Sequence, residues 1–116
     1  NMFNLIFLNK ENELNKLLKA QRRSRKKINV LFTSLWDKNS SELVEGLKAK
    51  YPVEDETKAP LYVVDSFTMP HSYVIYGTTK VPHLVRLNAD KVHSEDYLPV
   101  IKETLGLLPR KWSLTR

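Results

Sequence analysis

The sequence predicts an α/β domain, with a mixed central sheet flanked by helices in the order βαβαβαββα. Three observations carry this prediction. Short apolar runs of strand length alternate with segments whose leucines recur at helical spacing, the pattern of a parallel start. Two late strands, Leu84 to Leu87 and a brief one around Val92, are joined by a turn too short for a crossover, so they form a hairpin. The chain has 116 residues, enough for one domain and one core and too few for two.

Phe3 to Leu8 is an apolar run of strand length. Asn9 is placed to cap the helix that follows, with Glu11 and Glu13 in its first turn, where the helix dipole favours acids. Leu14, Leu17 and Leu18 give that helix one apolar face, and Arg22, Arg23, Arg25, Lys26 and Lys27 gather at its C-terminal end. Ile28 to Phe32 is a second strand, apolar enough to be central. Trp36 to Ser41 reads as a turn holding potential caps. Leu43, Val44, Leu47 and Tyr51 mark a second helix, which Pro52 stops. A polar loop from Glu54 to Ala59 leads into a third strand, Leu61 to Val64. Pro70 opens a short helix that ends at Gly77. After the hairpin, whose turn is Asn88-Ala89-Asp90, Ser94 or Asp96 caps a last helix with Leu98, Ile101, Leu105 and Leu108 on one face. Pro99 fits in its first turn. The expected core covers about residues 3–108 of a single domain, and 109–116 form a loose basic tail.

Composition removes several functions. The chain contains no cysteine. Disulfides, thiolate nucleophiles, zinc–thiolate sites and iron–sulfur clusters are therefore excluded. His71, His83 and His93 are too far apart for a helical metal pair, so no metal and no cofactor is expected. No apolar run approaches the roughly 18 residues a membrane span needs. With no signal-like start, the expected location is cytoplasmic. The formal net charge is +6, which favours acidic partners or nucleic acid through long-range attraction.

Two segments carry a family resemblance. Val30-Leu31-Phe32-Thr33-Ser34-Leu35-Trp36-Asp37-Lys38-Asn39-Ser40 resembles the thioredoxin pattern of strand, tryptophan, then C-G-P-C at a helix start. Tyr76-Gly77-Thr78-Thr79-Lys80-Val81-Pro82 is similar to the family's Y-G-x-x-x-[IV]-P, whose proline follows a cis peptide bond and faces the redox motif. The resemblance covers about residues 3–108 and implies a thioredoxin-like fold. It also locates what is missing. The two cysteines would fall at Asp37 and Ser40, and the family's buried aspartate at Leu31. Disulfide exchange needs an attacking thiolate and a resolving thiol, and a carboxylate and a hydroxyl supply neither.

What the resemblance leaves is a binding surface. In the family, the tryptophan and the residue before the cis-proline line a shallow groove that takes extended polypeptide by main-chain pairing, which needs no thiol. Here those positions are Trp36 and Val81-Pro82, with Asp37, Ser40 and His83 beside them. The expectation is a redox-inactive, non-enzymatic interaction or assembly module with a protein or peptide partner. For Asp37 and Ser40 the simpler expectation is helix capping. For Trp36, packing on the second helix competes with a role as a partner anchor. The alternative function is electrostatic: five cations in the six positions Arg22 to Lys27 could grip nucleic acid or an acidic surface. No aromatic interleaves them, and such a cluster is commonly just a solvated helix end.

Overall fold

A computed structural model describes residues 3–24, 26–76 and 80–88, and the backbone of 92–93. The expected last helix, the basic tail, Arg25 and the Gly77 helix end lie outside the described residues. Eight elements follow in order: β1 (Phe3–Leu8), α1 (Glu11–Gln21), β2 (Ile28–Thr33), α2 (Lys38–Lys50), β3 (Ala59–Asp65), α3 (Pro70–Ile75), β4 (His83–Leu87) and β5 (Val92–His93).

The strands form one mixed sheet in the order β1-β3-β2-β4-β5. β3 runs parallel to both β1 and β2, with Leu5 opposite Leu61 and Leu31 opposite Val63. β4 is antiparallel to β2, with Phe32 opposite His83 and Ile28 opposite Leu87, and β5 completes the hairpin. The parallel strands therefore all end at one edge of the sheet, where Leu8, Thr33 and Asp65 lie and where β4 begins.

Because side chains alternate along each strand, the sheet buries two apolar faces. Leu14 and Leu18 of α1 pack with Val30, Phe32, Val64, Met69, Val85 and Leu87 on one face. Leu43 and Leu47 of α2 pack with Leu5, Leu31, Leu61, Val63 and Leu84 on the other. β2 feeds both clusters, which is why its sequence is apolar almost throughout.

Two helix starts differ from the sequence expectation. Asn9 does not cap α1. The N-cap is Lys10, and the Glu13 carboxylate instead reaches back to accept the backbone N–H of Lys10 (2.8 Å) and of Asn9 (3.1 Å). An acid at the third helical position satisfies the first free donors as well as a capping asparagine would. The expected turn from Trp36 to Ser41 is shorter than predicted, because Asp37 caps α2 and Lys38 to Ser41 are already helical. A long-range bond also ties two helices: the Glu11 carboxylate accepts the N–H groups of His71 (2.7 Å) and Ser72 (3.2 Å) at the start of α3.

Candidate functional site

The end of the sheet where β2 finishes is built by short hydrogen bonds. Thr33 is buried and donates its hydroxyl to the Val64 carbonyl at 3.0 Å, while its own carbonyl accepts the Ser66 N–H at 2.9 Å. These bonds fasten the end of β2 to the loop after β3. The chain then folds back on itself. The Asp37 N–H donates to the Ser34 carbonyl at 3.0 Å. The Asp37 carboxylate accepts the Ser40 N–H at 2.8 Å, as an N-cap does. The Ser40 hydroxyl accepts the Ser34 N–H at 3.2 Å.

These bonds decide what the turn offers a partner. Ser40 is only 1% exposed and its oxygen is engaged inside the turn. Asp37 is half-buried and spent on the helix start. Trp36, immediately before Asp37, is 80% exposed. Its neighbours Leu35 and Phe67 are exposed too, and the Trp36 and Phe67 rings meet edge to face with centroids 6.5 Å apart. Trp36 is therefore not packed on the second helix. Phe67 reaches it because the Asp65 carboxylate accepts the Phe67 N–H at 2.9 Å and turns the loop back over the sheet.

Val81, Pro82 and His83 come to the same end of the sheet through the pairing of β4 with β2. The Val81–Pro82 peptide bond is cis. Val81 is half-buried and Pro82 buried. His83 stands in the ladder opposite Phe32, and its Nδ1 is buried without a hydrogen-bond partner. The topology thus gathers the Trp36 turn and the Val81–Pro82 turn at one end and leaves Asp37 and Ser40 as structural supports.

A cleft of about 290 Å³ opens on the α2 face of the sheet, lined by Leu35 and Phe67, the neighbours of Trp36, but not by Trp36 itself. Phe7, Leu35, Val44, Val63 and Phe67 supply its apolar walls, and Asp65, Glu45 and Lys48 lie around it. Val81, Pro82 and His83 are not part of its wall. Sequence reasoning did not single out Phe67, Leu35 or Phe7. The one available signal was an aromatic residue in the otherwise small and polar stretch Ser66-Phe67-Thr68.

The basic cluster lies at the opposite end of the sheet, where α1 finishes and β2 begins. Arg22, Arg23, Lys26 and Lys27 are all exposed. Among the described residues, no group of three or more His, Cys, Asp or Glu could hold a metal ion, and no helix is long and apolar enough to cross a membrane.

Comparison with solved structures agrees with this architecture. The chain superposes on the reduced thioredoxin pre-protein of Schistosoma mansoni with a TM-score of 0.61 and 16% identity, covering 90% of this chain and 99% of that one. For the thioredoxin of Trypanosoma brucei brucei the TM-score is 0.60 and the identity 10%, with 87% and 86% covered. For the first thioredoxin domain of mouse protein disulfide-isomerase A4 they are 0.58 and 8%, with 90% and 76% covered. No family model matches the sequence, and no curated protein matches it. The chain has the thioredoxin fold and carries no thiol with which to run disulfide exchange.

Proposed function

We propose that the chain is a redox-inactive, non-enzymatic binding or assembly module, and that it holds a polypeptide segment across the end of the sheet between Trp36 and Val81-Pro82. The observation that carries this reading is the exposure of Trp36. A tryptophan left 80% exposed gives up most of the burial that ordinarily stabilises so large a side chain. Tryptophan is also the residue type most enriched among interface hot spots. Its edge-to-face contact with Phe67 joins two exposed rings into one larger apolar surface for a partner to cover. A segment laid across this end would meet the Trp36 ring on one side and the Val81–Pro82 turn on the other, and would pair through its main chain.

The test is a selection of displayed peptides on the whole chain, followed by affinity measurements with purified peptide. Trp36→Ala is expected to weaken the selected peptides by about thirtyfold, the loss of a hot spot worth about 2 kcal/mol. Its urea midpoint should stay within error of the parent. Peptides that bind Trp36→Ala and Val81→Glu as well as the parent would sink the proposal.

A further inference from the structure

The end of the molecule remote from Trp36 carries a second surface. Lys16 and Lys19 on α1 are exposed and lead into Arg22 and Arg23 at the helix end and Lys26 and Lys27 before β2, all exposed. Two hydrogen bonds close the end of α1. The Arg22 N–H donates to the Lys19 carbonyl at 3.3 Å, and the Ser24 hydroxyl donates to the Gln21 carbonyl at 3.0 Å. None of the six cations is spent on a carboxylate: the ion pairs among the described residues are Lys38–Glu42 and Lys48–Glu45, both on α2. The carboxylates of Glu11, Glu13, Asp37, Glu42 and Asp65 lie toward the other end, where α1 and α2 start and β3 finishes, while Glu54, Asp55 and Glu56, in the loop between α2 and β3, lie at this end with Lys50 and Lys58. The described part of the molecule is therefore electrically lopsided, with an excess of positive charge at the α1–β2 end even against the three carboxylates there.

The make-up of the patch narrows its partner. No aromatic residue occurs between Phe7 and Phe32, and Tyr76, whose hydroxyl donates to the Asn15 side chain at 3.2 Å, is half-buried, so the described residues of this segment offer no exposed platform on which unpaired bases could stack. The exposed positions of α1 are Asn12, Asn15, Lys16, Lys19 and Ala20, which offer no large apolar group to enter a membrane interface. The same absence leaves no apolar anchor of the kind protein interfaces are centred on. What remains is a dense array of phosphate ligands, two of them arginines able to grip phosphate oxygens in pairs. From Lys16 to Arg22 the helix advances about 9 Å, close to three nucleotide steps along one strand of a duplex.

We infer that the Lys16–Lys27 end of the chain binds the phosphate backbone of duplex nucleic acid without reading its sequence. The surface is independent of the Trp36 face, so the chain can hold a polypeptide at one end and a duplex at the other.

The test titrates the full chain into a fluorescently labelled duplex of about 20 base pairs at salt from about 50 to about 200 mM, read by anisotropy. If about four phosphates are engaged, the logarithm of affinity falls with the logarithm of salt at a slope of about −3.6, a loss on the order of a hundredfold across that range. The triple variant Lys19→Glu, Arg23→Glu, Lys26→Glu is expected to lose at least about tenfold at the lower salt. The matching glutamine variant should lose less, and Trp36→Ala nothing. A slope near zero, or unchanged affinity in the triple variant, would overturn the inference. So would tighter binding of a single strand of the same length. Equal affinity for phosphatidylserine vesicles or polyglutamate at matched charge would overturn the nucleic-acid assignment.

Discussion

Removing the side chains of Asp37 and Ser40 separates a capping role from a binding role. The Asp37 carboxylate accepts the Ser40 N–H at 2.8 Å, an N-cap bond whose loss in Asp37→Ala costs about 1 kcal/mol, within a range of about 0.5–2. In Ser40→Ala, the Ser34 N–H loses the hydroxyl it donates to at 3.2 Å, in a part-buried turn. An unmet donor there costs about 1–2 kcal/mol. Asp37 accepts the Ser40 N–H, so the two sites are in contact and the double variant should lose no more than the sum of about 2–3 kcal/mol. At this chain length that is a fall in Tm of at most about 8–12 °C. The assay is urea unfolding followed by far-UV circular dichroism, with the m-value checked for constancy. Affinity for the peptides selected on the parent should change less than about threefold in any folded variant, since neither group is free to meet a partner. A stability loss below about 0.5 kcal/mol with a large loss of peptide affinity would refute the reasoning and return both residues to the binding surface.

Three further outcomes follow from contacts the sequence did not reveal. Glu11→Ala should lower stability by about 1–3 kcal/mol in urea unfolding, because it removes a charged acceptor from the N–H groups of His71 and Ser72 at the start of α3; Glu11→Gln, which keeps one acceptor oxygen, should lose less. The Asp55 carboxyl is held below its ordinary pKa by hydrogen bonds from the Thr57 hydroxyl and backbone N–H. Its contribution is therefore present above the ordinary carboxylate range and fades as pH falls through the lowered value, and Thr57→Val should move the Asp55 titration upward in a carboxyl NMR experiment. Phe67→Ala should weaken the selected peptides even though Phe67 lies outside the Val81–Pro82 turn, because it removes the ring against which Trp36 stands; unchanged peptide affinity would show that the aromatic pair plays no part in binding.

The fold was legible because its signals are local. Each strand of the parallel part is an apolar run, α1 and α2 each have a stripe of leucines, and the hairpin has a short polar turn in sequence. Pro52 and Pro70 mark boundaries where the structure has them, at the end of α2 and the start of α3. The errors came from competition among nearby caps. Asn9, Glu13, Asp37, Ser40 and Ser41 can all serve a helix start, and only the folded geometry selects Glu13 and Asp37. The surroundings of Trp36 were not legible, for a different reason. Phe67 meets it from a loop 31 positions away in sequence, brought there by the β2–β3 ladder and the Asp65 turn. No periodicity records such a contact. The bond from Glu11 to α3, across 60 positions, is hidden in the same way.

Leu31 shows why the missing chemistry leaves a coherent structure. It has no exposure and packs with Leu43, Leu47, Leu61, Val63 and Leu84 under α2. A carboxylate at that depth would be driven toward its neutral form by desolvation, and would weaken the domain wherever it had to ionise. The resemblance implies that an acid there serves proton transfer to a thiol. With Asp37 and Ser40 in place of thiols there is no such proton to move, so an apolar residue is the stabler occupant. The Asp37 carboxylate and the Ser40 hydroxyl each accept a backbone N–H within the turn, which gives both residues a structural role without any substrate. Trp36 does not fit that accounting. The turn closes through Ser34, Asp37 and Ser40, the core is complete without the indole, and the ring stands in solvent against Phe67. A large apolar side chain that the described core does not use, exposed at the end where the parallel strands finish, is the place at which to look for what the chain does.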